Sequence, residues 1–341
     1  MDVIHELIYL VIVPAVCVFL CLILPSFFIF NFIHTILQYL FPAKNMKGKV
    51  VLITGAASGI GEQVAYQYAK RGASLVIVDK NAHDLPKVAE TARGLGSPDI
   101  LQVCADVSIV EDCKRFVDEA IKHFGRLDHL VNNAGISSIC PIEDITDVTN
   151  FTRVMDVNFW GYVYPTHFAI PHLKQSKGKI LAISSAAALM HPPTLGFYSA
   201  SKSAVKTFFE TLRSELAPSI TVTIATLGFI DSNMTRGKHL PGLTQTNPST
   251  TTDVAESKKR ERHVIFQSFV LMSSRASAGA LVDGVVRGKR YVTEPKWYKA
   301  FFILEALCPQ MVDWYYGHIF FRQVKHVLDE VSIPTSQTKA D

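Results

Sequence analysis

Val50-Val51-Leu52-Ile53-Thr54-Gly55-Ala56-Ala57-Ser58-Gly59-Ile60-Gly61 is the stretch that decides the fold. Its first four residues are apolar and all of the first five but Leu52 are β-branched, which reads as a buried parallel strand over Val50–Thr54. The glycines that follow allow a tight turn and a close approach of the backbone to a pyrophosphate. The helix opening after them supplies N–H donors and the positive end of its dipole. A glycine-rich loop alone is weak evidence of a nucleotide site. Its place after an apolar strand and before a helix is what gives it weight.

Outward from this stretch the same alternation repeats. Ser74–Val78, Ile100–Cys104, Leu127–Val131, Lys179–Ser184 and Ile220–Thr226 read as further buried strands. Helical patterns lie between them at about 60–71, 82–94, 109–124, 151–174 and 198–217. A further helix over about 255–288 and a short strand at Tyr291–Thr293 close the series. Alternation of this kind predicts an α/β fold, a Rossmann-type doubly wound parallel sheet forming a single domain. Gly237–Thr252, rich in Pro, Thr and Asn, reads as a loop, and Ser332–Asp341 as a disordered polar tail.

In such a sheet, ligands bind beyond the carboxyl ends of the strands. Asp79 and Lys80 end the second strand, and the Asp79 carboxylate can accept bonds from adenosine ribose hydroxyls while repelling a 2′-phosphate. That favours NAD(H) over NADP(H), with Lys80 offsetting part of the repulsion. Asp106 ends the third strand and Asn132-Asn133-Ala134-Gly135 the fourth. Taken singly, both are also compatible with ordinary turns.

Tyr198 and Lys202, in Tyr198-Ser199-Ala200-Ser201-Lys202, are spaced to share one helix face. An ammonium beside a phenol favours the phenolate, so the pair predicts a Tyr pulled down toward neutrality and usable as a general acid/base. The bland alternative is a helix start that happens to carry both residues.

Composition bounds the partners. At 341 residues the chain could make one large domain or two ordinary ones. Its net charge of +4 is mild and unclustered, which offers no case for nucleic acid. Lys258-Lys259-Arg260-Glu261-Arg262 reads as a solvated helix start, or as a contact with anionic lipid. The six cysteines form no Cys-x-x-Cys or Cys/His cluster, so no metal site is expected and the thiols suit a reducing compartment.

From Leu7 to Ala43 no Asp, Glu, Lys or Arg occurs. The start is acidic and the apolar stretch is far longer than the roughly 7–15 residues of a signal peptide, so residues 1–45 read as a retained membrane anchor. Leu7–Leu24 as a helix would rise about 27 Å, near the roughly 30 Å needed to span. Pro14 and Pro25 leave two arrangements open: a single spanning helix over about 7–30, or a hairpin bent near Pro25. Lys44, Lys47 and Lys49 follow the segment and only acids precede it, which places the rest of the chain in the cytosol. The stretch Trp297–Phe321 is rich in aromatics and reads either as a helix packed on the domain or as an interfacial element.

As a set these pieces resemble the short-chain dehydrogenase/reductases. The matching residues are Thr54-Gly-Ala-Ala-Ser-Gly-Ile-Gly61, Asp106, Asn132-Asn-Ala-Gly135, Asn158, Ser185 and Tyr198-Ser-Ala-Ser-Lys202, in order over roughly residues 48–295. Within the family, the anchor, Gly125-Arg-Leu-Asp-His-Leu130, Asn158-Phe-Trp-Gly161 and Arg290-Tyr-Val-Thr-Glu-Pro295 look like the plant 11-beta-hydroxysteroid dehydrogenase-like, or steroleosin, subgroup. The resemblance implies Tyr198 as proton donor and acceptor, and Lys202 on the nicotinamide ribose, lowering the Tyr pKa. It implies Ser185 on the reacting oxygen and Asn158 behind a water relay. It further implies cofactor contacts from Thr54, Gly55, Ser58, Gly59, Ile60, Gly61, Asp79, Lys80, Asp106, Asn132, Ala134 and Gly135. Two departures stand out: Leu227-Gly228 replaces the usual Pro-Gly, with Ser232 supplying the hydroxyl four residues on, and Asp79 stands where steroid-reducing relatives often carry basic residues.

The resulting division is an anchor over 1–45, a dehydrogenase domain over 46–296, and an aromatic extension with a polar tail over 297–341. The expected function is oxidation or reduction of a lipophilic alcohol or ketone, a sterol or hydroxysteroid, at an endoplasmic reticulum membrane or lipid droplet. A segment over Gly237–Gln267 is expected to cover the substrate. Retinoid-like or long-chain alcohols are alternative substrates, and a structural or sterol-binding lipid-droplet protein is the non-enzymatic alternative. The resemblance also implies a homodimer through the helices at about 151–174 and 198–217, with Ala204, Val205, Phe208, Phe209 and Leu212 fitting either core or interface.

Overall fold

The computed structural model describes residues 2–40, 45–145, 147–231, 234 and 272–322. The chain divides into two compact units, Met1–Lys44 and Asn45–Asp341.

The first unit is one helix, α1, Asp2–Leu40, with Pro14 and Pro25 inside it. Of the single helix and the hairpin, the described backbone is the single helix, unbroken at either proline. Its stretch Leu10–Phe30, of mean hydropathy 2.7, is long and apolar enough to cross a membrane by length and composition. Its side chains are exposed along that stretch.

The second unit alternates strand and helix. Its elements are β1 (Val50–Thr54), α2 (Gly59–Ala69), β2 (Ser74–Asp79), α3 (Leu85–Gly94), β3 (Ile100–Cys104), α4 (Val110–Phe124) and β4 (His129–Asn132). Next come α5 (Thr152–Met155), a π-helical turn (Asp156–Trp160), α6 (Gly161–Ser176), β5 (Lys179–Ser185), α7 (Ala187–Met190), α8 (Gly196–Leu216) and β6 (Thr221–Leu227). A small parallel pair, β7 (Ile230–Asp231) and β8 (Met272–Ser273), precedes α9 (Ser274–Val286) and β9 (Tyr291–Glu294). Two C-terminal helices, α10 (Tyr298–Leu307) and α11 (Pro309–Tyr315), follow.

Seven strands form one parallel sheet in the order β3-β2-β1-β4-β5-β6-β9. Both faces are covered, which explains the near-continuous apolarity of the strands. In β1, Val51 and Ile53 pack into one core with α2, α3 and α9, while Val50 and Leu52 pack into the other with α4, α6 and α8. Helix α4 shows why these segments are helical: Cys113, Phe116, Val117 and Ala120 recur on one buried face, acids open it and Gly125 ends it at φ 71°.

Strand order reverses between β1 and β4, the switch point where an open α/β sheet leaves a crevice at its carboxyl edge. Most expected boundaries shift by one or two residues. The larger difference is the expected 151–174 helix, which is interrupted by the π-turn at Asp156–Trp160. Of the 255–288 helix, Ser274–Val286 is described, capped where Ser273 Oγ accepts from Ala276 N at 3.2 Å. Gly237–Thr252, Lys258–Arg262, Ser232 and Ser332–Asp341 lie outside the described residues. On α8, Val205, Phe209 and Leu212 are core, and Ala204 and Phe208 are half-buried.

Candidate active site

A cavity of about 930 Å³ opens along the carboxyl edge of the sheet. At one end it is lined by Gly55, Ala57, Ser58, Gly59 and Ile60, then by Asp79, Lys80 and Asp106. The glycines have separate reasons for being there. Gly55 and Gly59 sit at φ 66° and 62°, where a side chain is strained. Gly61 lies under the loop, where a Cβ would come within 2.1 Å of the Gly55 carbonyl oxygen. Gly61 therefore shapes the loop without reaching the cavity wall. Ser58 precedes α2 with an extended backbone and its side chain makes no capping bond among the described residues, so the first-turn N–H groups are left to a ligand.

Thr54 is wholly buried and acts as a clasp. Its Oγ1 accepts from Asn133 N at 3.0 Å and Ala134 N at 3.2 Å, joining the ends of β1 and β4. Asn133 returns the bond, with Nδ2 donating to the carbonyls of Thr54 and Gly55 at 2.9 and 3.0 Å. Asn132 turns the other way: its Nδ2 donates to Thr166 Oγ1 at 2.9 Å, and it is not part of the cavity lining. Asn133, Ala134 and Gly135 line the cavity. The alternation of a strand decides this, because neighbouring residues face opposite sides.

Asp79 Oδ2 accepts from Ala57 N at 3.0 Å and Oδ1 from Asn81 N at 2.9 Å, so the carboxylate is held at the loop with lone pairs to spare. Burial opposes the charge on Asp106. Hydrogen bonds from Ser108 Oγ and N at 2.7 and 3.0 Å, with Lys80 and Arg153 nearby, nevertheless hold its carboxyl below the usual range.

Tyr198, Lys202 and Ser185 line the middle of the cavity. Lys202 is 3% exposed, and burial pushes its ammonium down to about 7. Its Nζ donates to the Ile183 carbonyl at 3.0 Å and to Tyr162 Oη at 3.3 Å, and lies 5.9 Å from the Tyr198 ring centre. The expected lowering of the Tyr198 phenol is not what the structure has. Burial raises it above its ordinary value, and a hydrogen bond with Ser185 opposes the rise. The reason is geometric: the donors of Lys202 point to Ile183 and Tyr162, and its own charge is weakened by burial. Ser185 Oγ also accepts from Ala187 N at 3.1 Å, which fixes its rotamer.

Asn158 sits in the π-turn and is wholly buried. Its Oδ1 accepts from Ile136 N and its Nδ2 donates to the Ile136 carbonyl and to Ser201 Oγ, all at 2.9 Å. It thus ties the loop after β4 to α8. Such turns are frequent at functional sites because the extra residue re-aims a side chain. Gly135 lies beside it, where a Cβ would stand 3.3 Å from Asn158 Oδ1 and 3.5 Å from Lys202 Nζ.

Sequence reasoning missed Tyr162, whose Oη donates to the Ile183 carbonyl at 3.0 Å while accepting from Lys202. The signal was available: Tyr162 is four residues beyond Asn158. It also missed the far wall of the cavity, which α10 and α11 supply through Trp297, Tyr298, Phe301, Leu304, Met311 and Trp314. The aromatic stretch is therefore part of the site. Tyr298 packs so closely on Gly228 that a Cβ there would meet its ring at 2.2 Å, and its Oη accepts from Phe229 N at 3.3 Å. The turn after β6, which lacks the expected Pro, is thus braced from the C-terminal side.

The short chain dehydrogenase family model matches residues 49–240. The chain is a short-chain dehydrogenase. It is 45% identical over 314 residues to 11-beta-hydroxysteroid dehydrogenase A of Sesamum indicum, covering 92% of this chain and 87% of that protein. It is 47% identical to 11-beta-hydroxysteroid dehydrogenase 1A of Arabidopsis thaliana, over 86% and 82% of the two chains. Among solved structures, a short chain dehydrogenase/reductase from Burkholderia phymatum in complex with NAD superimposes with a TM-score of 0.68. That match is 24% identical and covers 79% of this chain and 96% of the other. The dehydrogenase thus falls in the subgroup of the plant 11-beta-hydroxysteroid dehydrogenases and is an NAD(P)-dependent oxidoreductase. The uncapped N-terminus of α2 and the Asp79 carboxylate at the cavity wall fit such a cofactor.

Proposed function

We propose that this dehydrogenase interconverts a hydroxyl and a ketone on a lipophilic substrate, a sterol or hydroxysteroid, from a membrane anchor. The observation that carries the reading is the single cavity, which runs from the glycine loop past Tyr198 to an aromatic wall. A polar end with uncapped N–H donors suits a dinucleotide, and a wall of Trp, Tyr and Phe suits a flat apolar body. The relatives named 11-beta-hydroxysteroid dehydrogenase support the same substrate class.

In this reading Gly55, Ser58, Gly59 and Ile60 hold the cofactor phosphates, while Asp79, with Lys80, holds the adenosine ribose. Asp106, Ala134 and Gly135 border the adenine and nicotinamide ends, Thr54 and Gly61 support the loop from behind, and Asn132, bonded to Thr166, holds the end of β4 to α6. A nicotinamide held there would supply or accept the hydride. Ser185 holds the reacting oxygen through Oγ, and Tyr198 Oη takes or gives its proton. Lys202 meets the nicotinamide ribose through Nζ. Asn158, buried against Ile136, positions the loop through which the proton leaves. Asp79 favours NAD(H), and with it oxidation of the alcohol.

Helix α1 is the anchor, with the dehydrogenase domain facing the cytosol at the endoplasmic reticulum or a lipid droplet. The chain pairs as a homodimer across α6 and α8, where Trp160, Tyr164 and Phe208 leave aromatic surface exposed or half-buried. The deciding experiment is a screen of sterols, hydroxysteroids, retinol and long-chain alcohols with the purified full-length chain, following NADH and NADPH by absorbance. The expected result is turnover of a steroid or sterol with higher kcat/KM for NAD. Turnover confined to retinol or aliphatic alcohols overturns the substrate class, and a clear preference for NADP overturns the role of Asp79.

A further inference from the structure

Glu305 is out of place. It stands on α10, in the wall of aromatic and aliphatic side chains, and it lines the cavity. The other charged groups in the lining are Asp79, Lys80, Asp106, Arg153 and Lys202, which come from the strand edge, α5 and α8. Among the described residues, Glu305 is the charged group that the C-terminal helices bring to the cavity.

Its two oxygens differ. Oε1 lies 3.8 Å from His191 Nδ1, in the loop between α7 and α8. Oε2 is buried and has no hydrogen-bond partner among the described residues. A carboxylate oxygen in that condition loses its water and gains nothing in return, which is costly and uncommon. Tyr316 also lines the cavity, and its phenol is pushed up by burial and by the nearby charge of Glu305, so it stays neutral. The far wall therefore combines flat apolar surface with one carboxylate whose Oε2 no donor holds in place.

Resting on the functional reading above, we propose that Glu305 is a specificity residue whose carboxylate, turned into the cavity by a side-chain rotation that no bond to Oε2 opposes, accepts a hydrogen bond from a second hydroxyl of the substrate. The substrate then carries two oxygen functions. One reacts between Ser185 and Tyr198, and the other anchors the ring system on α10. A neutral hydroxyl suits this acceptor better than an ammonium, because a cation would lose its hydration against an apolar wall. A site with a buried acceptor also rejects analogues that lack the donor, since the acceptor is then left unpaired. The aromatic wall alone would bind any flat lipophile, and Glu305 makes it selective.

The test uses the full-length chain in detergent and the fluorescence of Trp297 and Trp314, which line the cavity. Four probes are titrated: a rigid steroid diol with hydroxyls at opposite ends, its two mono-deoxy analogues, and an analogue with an amine in place of the anchored hydroxyl. The expected result is that the diol binds about 10–100-fold tighter than the mono-ol lacking the anchored hydroxyl, the size of a hydrogen bond to a charged group. Glu305→Leu should abolish that preference. Glu305→Gln, which keeps the shape and one acceptor oxygen, should retain part of it, and it decides the matter if the Leu variant does not fold. A diol that binds no tighter than either mono-ol overturns the proposal, as does a preference that survives Glu305→Leu. An amine analogue binding tighter than the diol overturns the choice of hydroxyl. A diol preference without dehydrogenation of any steroid would sink the functional reading and leave the anchor standing.

Discussion

The two ends of the cavity, which we propose take the dinucleotide and the substrate, are built by different rules. The nucleotide end is made of backbone and of side chains at strand ends: Gly55, Gly59, Asp79 and Asp106, each placed by the local turn that follows its strand. The substrate end is made of side chains from α10 and α11, about a hundred residues beyond Tyr198 in the chain. The nucleotide end tolerates no added Cβ at Gly61, because a carbonyl oxygen stands 2.1 Å away. The substrate end is equally tight at Gly228, but there the obstacle is an aromatic ring from another element. The first end is rigid because the backbone defines it, and the second because side chains lock over it.

The proposed proton-transfer group between the two ends gives the largest test. Tyr198→Phe removes one hydroxyl and should lower kcat by about 10³–10⁴-fold. Quenching of tryptophan fluorescence by a lipophilic ligand should be unchanged. A loss of ligand binding would show that Tyr198 belongs to the substrate end and not to the junction.

Gly61→Ala separates the ends next. The forced shift of the loop should cost about 1–3 kcal/mol of stability and raise the KM for the dinucleotide by tens of fold. Binding of the lipophile should hold. Gly228→Ala is the mirror experiment: the displaced Tyr298 ring should raise the KM for the lipophile by about tenfold, for a similar strain. KM for the dinucleotide should move little. If both variants impair both ligands alike, the two ends are one cooperative unit.

The smallest effect is on stability against pH. The Lys202 ammonium is held near 7 in the folded chain and titrates at about 10.4 when unfolded. Between those values the unfolded chain carries a proton that the folded chain lacks, so stability rises with pH across that window. Melting of the cofactor-free protein from pH 7 to 10 should show this rise, and Lys202→Met should flatten it. An unchanged slope would mean that Lys202 keeps its proton in the fold.

The nucleotide end was legible because its determinants are local. A strand of β-branched residues, a glycine at positive φ and an acid at the next strand end sit together in sequence, so Thr54–Gly61, Asp79 and Asp106 can be read without a structure. Asn132 and Asn133 mark the limit of that reading. Both belong to one motif, yet the strand's alternation sends Asn132 to Thr166 and leaves Asn133 at the cavity. The direction of the Tyr198 shift was also beyond the motif, because it is set by burial, which only the packed site supplies.

What the sequence by itself determined is the parallel sheet, the glycine loop, the Tyr198–Lys202 pair on one helix face and the long apolar helix. Each follows from periodicity or spacing over a few residues, which short-range sterics and burial enforce. Only the tertiary structure decided that Thr54 is a clasp, that Tyr162 holds Lys202, and that α10 and α11 close the cavity with Glu305 among their aromatics. Those outcomes depend on which distant surfaces meet when both faces of the sheet are buried, and no local pattern carries that information.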